Sequence, residues 1–325
     1  IKLDIPNNKI VSIAKSVFLG MFNLQILTLN DNSLETIEDK SFNDLNSLKE
    51  LHLFNNYIKY IKNDFFMGMS NLEILDFSFN SIEMIPEKCF ILNPKLYLLN
   101  FNTNPIKFIG GNAFSGLNID VSFSFKEKNL ELIENCAFCG LKNKPESLYL
   151  NNNKLNHIKN DTFADLNSTK SLILNANKIQ SIEDNALSYM TNLLILNLKD
   201  NLLTKINNIH LIYLKKLEYL DLSYNKLIEI QNKAFESLIE LKQLDLSFNK
   251  IQFINNFNFK NLKNLHALYL NENRISKIEN LSFQMLKGLE FLNLEENCLF
   301  KLERGVFDLN HQLNSLNLAK NLFKI

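Results

Sequence analysis

An asparagine recurs at positions 8, 32, 56, 80, 104, 153, 177, 201, 225, 249, 273, 297 and 321 of the chain. Every interval is 24 residues except the one from 104 to 153, which is 49, or 24 plus 25. A fixed period of this size restricts the chain to a solenoid, because each copy buries its apolar face only against its neighbours. Leu220-Asp221-Leu222-Ser223-Tyr224-Asn225-Lys226-Leu227-Ile228-Glu229-Ile230 shows the unit most clearly. A globular chain of 325 residues would suggest about two domains, but a solenoid grows by adding coils and needs no such break.

Counting each asparagine as zero, apolar residues stand five and three places earlier, as Leu220 and Leu222 or Leu268 and Leu270 do. Alternation over so few residues predicts a short half-buried strand. Ile or Leu returns two places later (Ile58, Leu155, Leu227, Ile275). Ile stands five places later in twelve of thirteen coils, Leu302 being the exception. Phe stands ten places later in eleven of thirteen, with Leu187 and Leu211 in the other two, and Leu usually follows at thirteen. Stacked copies share one core, so the strands lie parallel about 4.8 Å apart and the rest of each coil returns behind them. A back row of Phe is wider than a front row of Leu, which predicts a curved stack with the strands inside. The asparagine falls where the chain leaves the strand and turns. Its carboxamide both donates and accepts, so a column of them satisfies backbone groups that the turn leaves without partners.

The pattern Leu-x-x-Leu-x-Leu-x-x-Asn-x-Leu-x-x-Ile-x-x-x-x-Phe-x-x-Leu resembles the leucine-rich repeat family in its 24-residue typical form, over the whole chain. The resemblance implies an α/β-type solenoid, a curved horseshoe with one parallel concave sheet of about fourteen short strands and an irregular or short-helical convex side. It also implies a non-catalytic extracellular recognition module, secreted or the ectodomain of a membrane protein, that binds a protein or peptide. Toll-like receptor ectodomains, chaoptin, Slit and secreted insect immune repeat proteins are of this kind. The alternative is a structural scaffold or assembly subunit, inside the cell, that works through its lateral edges. Either could pair into a homo- or hetero-dimer. Extracellular members close their ends with cysteine-rich caps. Here the first coil is entered halfway, at Leu3-Asp4-Ile5-Pro6-Asn7-Asn8, and the last stops at Lys324-Ile325. The caps are absent, and the expectation is an excerpt of a longer chain.

Residues 1–117 are regular, 118–147 irregular and 148–325 regular again, within a single expected solenoid. In the irregular stretch, Phe123, Phe125, Leu130, Ile133 and Phe138 set a register that puts Lys128, not Asn129, on the ladder. Asp120 takes a position that is usually Leu, and one extra residue enters between Leu141 and Leu148, near Pro145. Lysine donates but does not accept, so this turn needs another acceptor. The stretch is either a tolerated irregularity or a bend or partner-binding interruption, of the kind some Toll-like receptors carry.

Composition narrows the function further. With 35 basic and 35 acidic residues the formal net charge is zero, which gives no argument for nucleic acid or an anionic membrane. No apolar run approaches the roughly 18 residues of a membrane span, and Ile1-Lys2-Leu3-Asp4 is not a signal peptide. Cys136 and Cys139 bracket Phe138. Two thiols make no closed zinc site, which leaves a local disulfide or two buried free thiols. Cys89 and Cys298 occupy different frame positions and are expected to be unpaired and buried. Asn160, Asn167 and Asn280 begin glycosylation sequons. Among 52 asparagines chance alone gives roughly five such triplets, so three are no enrichment. His52, Asp76 and Ser78 look like a catalytic set, but a flat strand face offers neither the ordered hydrogen bonds nor the oxyanion site a triad needs. No cofactor, metal or catalytic residue is assigned.

The concave face carries what can vary without touching the core: the residues six, four, two and one places before each asparagine. Mid-chain these are small and neutral (Ser122, Ser124, Ser147, Asn151, Ser171, Asn175, Ala176). Toward the C-terminus they become aromatic and acidic: Tyr219, Asp221, Tyr224, Asp245, Phe248, Tyr269, Glu272, Phe291, Glu295 and Glu296. Gathered aromatics make interface cores, and the acids favour a basic partner. A weaker cluster lies at Ile26, Glu50, His52, Phe54, Ile74, Asp76 and Phe79.

Overall fold

The computed structural model describes residues 1–118, 123–125 and 128–324. Asp120 and Ser122 lie outside these, as do the side chains of Phe123 and Ser124. The chain divides into two compact units, Ile1–Pro145 with Asp161–Leu166, and Glu146–Asn160 with Asn167–Ile325. Each is a parallel β-solenoid with very little helix.

In the first unit the strands Lys2–Asp4, Ile26–Thr28, Glu50–His52, Ile74–Asp76 and Leu98–Asn100 form one parallel sheet in chain order. In the second, Ser147–Tyr149, Ser171–Ile173, Ile195–Asn197, Tyr219–Asp221, Gln243–Asp245, Ala267–Tyr269, Phe291–Asn293 and Ser315–Asn317 do the same. The register is a whole coil at every step, so Leu220 pairs with Leu244 and Leu244 with Leu268. All three are fully buried. Past the asparagine, the isoleucine five places on belongs to a second set of two-residue strands, such as Met84–Ile85, Phe108–Ile109 and Leu132–Ile133. The return side is otherwise turns, with a 3-10 turn at Asn63–Phe66 and one helical turn at Asn208–Leu211.

Each ladder asparagine works the same way. Asn225 Nδ2 donates to Leu198 O (2.9 Å) in the preceding coil and to Leu222 O and Ser223 O (both 3.2 Å) in its own. Its Oδ1 accepts the Leu203 N–H of the preceding coil at 3.0 Å. Asn56, Asn80, Asn201 and Asn249 repeat the pattern. The residue just before the asparagine is left-handed, from Asn7 (φ 56°) to Lys320 (φ 54°).

That rule corrects the register at the irregular coil. Lys128 has φ 61°, so it takes the left-handed place before the ladder rather than the ladder place itself. Asn129 then takes the ladder place, so this turn has a carboxamide like the others, and Ile106 N–H donates to Asn104 O at 2.8 Å.

Behind the strands the phenylalanines stack coil on coil. Phe90 and Phe114 lie 6.4 Å apart between centroids, Phe114 and Phe138 5.8 Å, and Phe259 and Phe283 5.9 Å, each pair within 16° of parallel. Cys136 and Cys139 flank this row with Cα atoms 4.8 Å apart and their sulfurs joined. Cys89 is buried, which pushes its thiol well above the usual value. Cys298 departs from expectation in being partly exposed, because it directly follows the turn asparagine Asn297.

His210 is the buried titratable group of the helical turn. Its N–H donates to Asn207 Oδ1 (3.3 Å) and its Nδ1 accepts the Asn207 N–H (3.4 Å), which requires the neutral ring. Burial holds its pKa below the usual 6.5, against the opposing charge of Asp184. A lowered histidine pKa stabilises the fold above the unfolded value and loses that stability as pH falls through the folded one. The unfolding free energy is therefore expected to fall below pH 6.5, with a slope of at most about 1.4 kcal/mol per pH unit, and the melting temperature with it. In His210→Ala, which installs the residue present at Ala186 and Ala234, that slope should flatten. Thermal melts at pH 7.5 and 5 on both proteins check this, and equal slopes would refute it.

Candidate functional site

The strand face of the second unit brings most of the sequence-selected residues together, in two strips. On the strands themselves Tyr219, Asp221, Asp245, Tyr269 and Phe291 sit on neighbouring ribbons, joined by the pairings Asp221 to Asp245, Asp245 to Tyr269 and Ala267 to Phe291. The rings of Tyr269 and Phe291 meet at 5.0 Å. On the rim, at the left-handed position, stand Tyr224 (φ 54°), Phe248 (φ 53°), Glu272 (φ 53°) and Glu296 (φ 55°). Tyr224 stacks on Phe248 at 4.0 Å and is 44% exposed, with Lys199 Nζ 5.1 Å from its ring. The conformation is set by the turn of the repeat, since a left-handed residue precedes the asparagine in coil after coil.

Asp221 differs from its expected role. It is only 4% exposed, and its Oδ1 accepts from Ser223 N (2.9 Å) and Ser223 Oγ (2.6 Å) while Tyr219 Oη donates to Oδ2 (3.3 Å). Asp245 and Asp76 hold Ser247 and Ser78 in the same way. Asn197 and Asn293 cap the backbone two residues on without a serine. Where position minus four carries Asp or Asn it is thus structural, an Asx turn that closes the strand end. Burial pushes the Asp245 carboxyl up in spite of its two bonds from Ser247. Burial, then the charge of Asp221, pushes the Tyr219 phenol up.

The remaining acids lie at the rim. Glu295 and Glu296 both pair with Lys320. A hydrogen bond shared with Glu296 raises the Glu272 carboxyl and lowers that of Glu296. The first unit's cluster is looser. Ile26, Glu50 and Ile74 are register neighbours with Leu98, and Phe79 is 57% exposed at φ 54°.

The catalytic look-alike does not assemble. His52 Nε2 faces Glu50 (3.2 Å), and Asp76 is spent on Ser78. A different trio does line up: His157 Nδ1 to Ser181 Oγ at 2.5 Å and His157 Nε2 to Glu183 at 3.1 Å. Sequence reasoning missed it, although the 24-residue offset between His157 and Ser181 was the available signal. The Asn160 N–H and then His157 hold the Glu183 carboxyl below its usual range. The side chains of His157 and Glu183 remain 34% and 41% exposed on an open two-strand edge, whereas a triad works in a water-excluded site with oxyanion donors. Among the described residues no group of three His, Cys, Asp or Glu side chains could hold a metal ion. No helix among them is long and apolar enough to cross a membrane. Asn160, Asn167 and Asn280 are all exposed.

The family model for the leucine rich repeat matches residues 2–58, 47–106, 167–227, 223–275 and 263–323. Among solved structures, the TLR13–ssRNA13 complex is 21% identical with a TM-score of 0.59, covering 99% of this chain and 66% of that one. Toll in the Toll–Spatzle complex of Drosophila is 22% identical with a TM-score of 0.62, covering 96% and 46%. A leucine-rich-repeat protein of Leptospira interrogans is 27% identical with a TM-score of 0.61, covering 98% and 78%. The chain thus spans under two thirds of the TLR13 chain and less than half of the Toll chain. No curated protein matches it.

Proposed function

Because the chain belongs to the leucine-rich repeat family, we propose that it is a non-catalytic recognition module which binds a protein or peptide through the strand face of its second unit. The stacked pair of exposed Tyr224 and half-buried Phe248, beside the Tyr269–Phe291 contact, carries this reading. Rigid aromatics held together on a firm sheet are what alanine scans find at the centres of interfaces. The acids around them, Asp245, Glu272, Glu295 and Glu296, repel phosphate and suit a partner with basic side chains. An extracellular setting is supported by the likeness of fold to Toll and TLR13, whose structures hold Spatzle and an RNA respectively. There the chain would act as receptor ectodomain, adhesion protein or secreted immune factor. In such a setting the Cys136–Cys139 bond persists, and Asn160, Asn167 and Asn280 are open to glycans.

The test is a peptide display selection on the intact chain, followed by titration of the selected peptide. Tyr219→Ala with Phe291→Ala should weaken it by at least about tenfold, roughly 1.4 kcal/mol, with the melting curve retained. Unchanged affinity in a folded double variant would remove the strand-face reading. The mass of the native chain under non-reducing conditions reports glycans and the disulfide together. Reduced thiols without glycans would favour the scaffold alternative.

A further inference from the structure

The flank of the second unit, just past the asparagine column, carries a row of cations that the recognition surface does not use. Lys178, Lys226, Lys250 and Arg274 each stand one place after a ladder asparagine, and all are exposed. Their backbone N–H groups are fixed by bonds of 2.8–2.9 Å to Leu155, Leu203, Leu227 and Ile251 of the preceding coils. The residues that follow them, Ile179, Leu227, Ile251 and Ile275, are fully buried. The row is therefore fixed at its base at a coil spacing of about 4.8 Å, with Lys226, Lys250 and Arg274 on consecutive coils and Lys178 two coils before Lys226, across Leu202. Lys205 and Lys277 lie three places further along their own coils and add to it, with Glu229 the one acid among them.

Two features separate this row from an ordinary solvated face. Among the described residues none of the four cations has an ion-pair partner. The strand edge seven places before the asparagine, by contrast, neutralises itself, as Lys170 with Glu146 (2.9 Å) and Lys242 with Glu218 (2.8 Å) show. Like charges held at coil spacing on a chain of zero net charge repel one another, and an anionic ligand relieves that repulsion. The second feature is the parallel row two places on, where Gln180, Thr204, Gln252 and Ser276 are exposed, neutral hydrogen-bonding side chains and Ile228 is the one apolar break.

We propose that this flank binds a linear sulfated polysaccharide, with sulfates on the cation row and ring hydroxyls on the amide and hydroxyl row beside it. Point-charge lysines dominate, and Arg274 is the single planar fork of the four, whereas phosphate readers favour arginine. Single-stranded nucleic acid also needs open aromatic platforms for its bases. Tyr224 and Phe248, the rings two places before Lys226 and Lys250, are stacked on each other at 4.0 Å, and Phe253, three places past Lys250, is covered by Lys277 at 5.5 Å, so neither side of the row offers a series of separate platforms. The inference is independent of the strand-face reading, since Tyr219→Ala with Phe291→Ala should leave it untouched.

The experiment titrates the full chain with heparin, with desulfated heparin and with a single-stranded oligodeoxythymidine of matched charge, at several salt concentrations. Heparin should bind and desulfated heparin should not. Lys178→Gln, Lys226→Gln, Lys250→Gln and Arg274→Gln together should weaken heparin about 30-fold and lower the log–log salt slope by about 3. A charge-matched control, Lys170→Gln, Lys242→Gln, Lys260→Gln and Lys320→Gln, should bind within about threefold of the unmodified chain, because its lysines are already paired. If the quadruple flank variant fails to fold, Lys226→Gln and Lys250→Gln singly should each cost about threefold. The proposal is overturned if both quadruples lose affinity alike, if desulfated heparin binds as well, or if the oligonucleotide binds as tightly as heparin.

Discussion

Replacing Phe66 by alanine is expected to destabilise the first unit by about 3–5 kcal/mol. The ring is fully buried, with centroids 4.9 Å from Phe65, 6.2 Å from Phe77 and 5.1 Å from Phe90. Truncation removes its own apolar area and also leaves a cavity that stacked neighbours cannot close without breaking register. Because coils touch only their neighbours, the damage is local in space. It is large in effect, since it cuts the row that joins the coils before it to those after it. Phe66→Leu is the control. Leu187 and Leu211 occupy the same frame position and are buried without strain, so that change should cost about 1 kcal/mol. The chain has no tryptophan, so urea unfolding should be followed by circular dichroism. A midpoint unmoved by Phe66→Ala would contradict the shared aromatic core.

Asn225→Ala is expected to cost about 1–3 kcal/mol. It strips partners from Leu203 N–H and weakens the bonding of three carbonyls, those of Leu198, Leu222 and Ser223. All of these lie in the second unit, where water does not reach the turn. Asn225→Asp separates the two halves of the amide's role. It keeps an acceptor for Leu203 but turns a carboxylate toward three carbonyl oxygens, so it should be no better than alanine and should improve as pH falls. If Asn225→Asp were neutral at pH 7, the donor half of the ladder would have no energetic weight.

The period alone made the architecture readable, because Leu220, Leu244 and Leu268 could be adjacent only if coils stack in register, and they are. The same logic identified the phenylalanine row and the purpose of the asparagines. It failed where two periodic signals share one position. Asp221 alternates outward along its strand and so reads as surface, yet it is an Asx cap. The serine two places on, repeated at Ser78, Ser223 and Ser247, was the visible sign of that. Lys128 was misplaced by one residue because apolar spacing carries no information about φ, and only the left-handed backbone shows which residue precedes the turn. The rim aromatics Tyr224 and Phe248 were legible as surface positions, but not the face-to-face stack that half-buries Phe248, which depends on that same backbone conformation. The cations of the flank were in plain view at a constant offset, outside the positions that the strand pattern marks as variable.

The asparagine column has a direction. Every bond that Asn225 makes to another coil, to Leu198 O and Leu203 N–H, reaches toward the N-terminus, and Asn201, Asn249 and Asn273 reach the same way. A ribosome delivers the chain in that order. Each newly emerged turn therefore finds its docking groups already on display in the turn made just before it, and the last one made is always the growing tip.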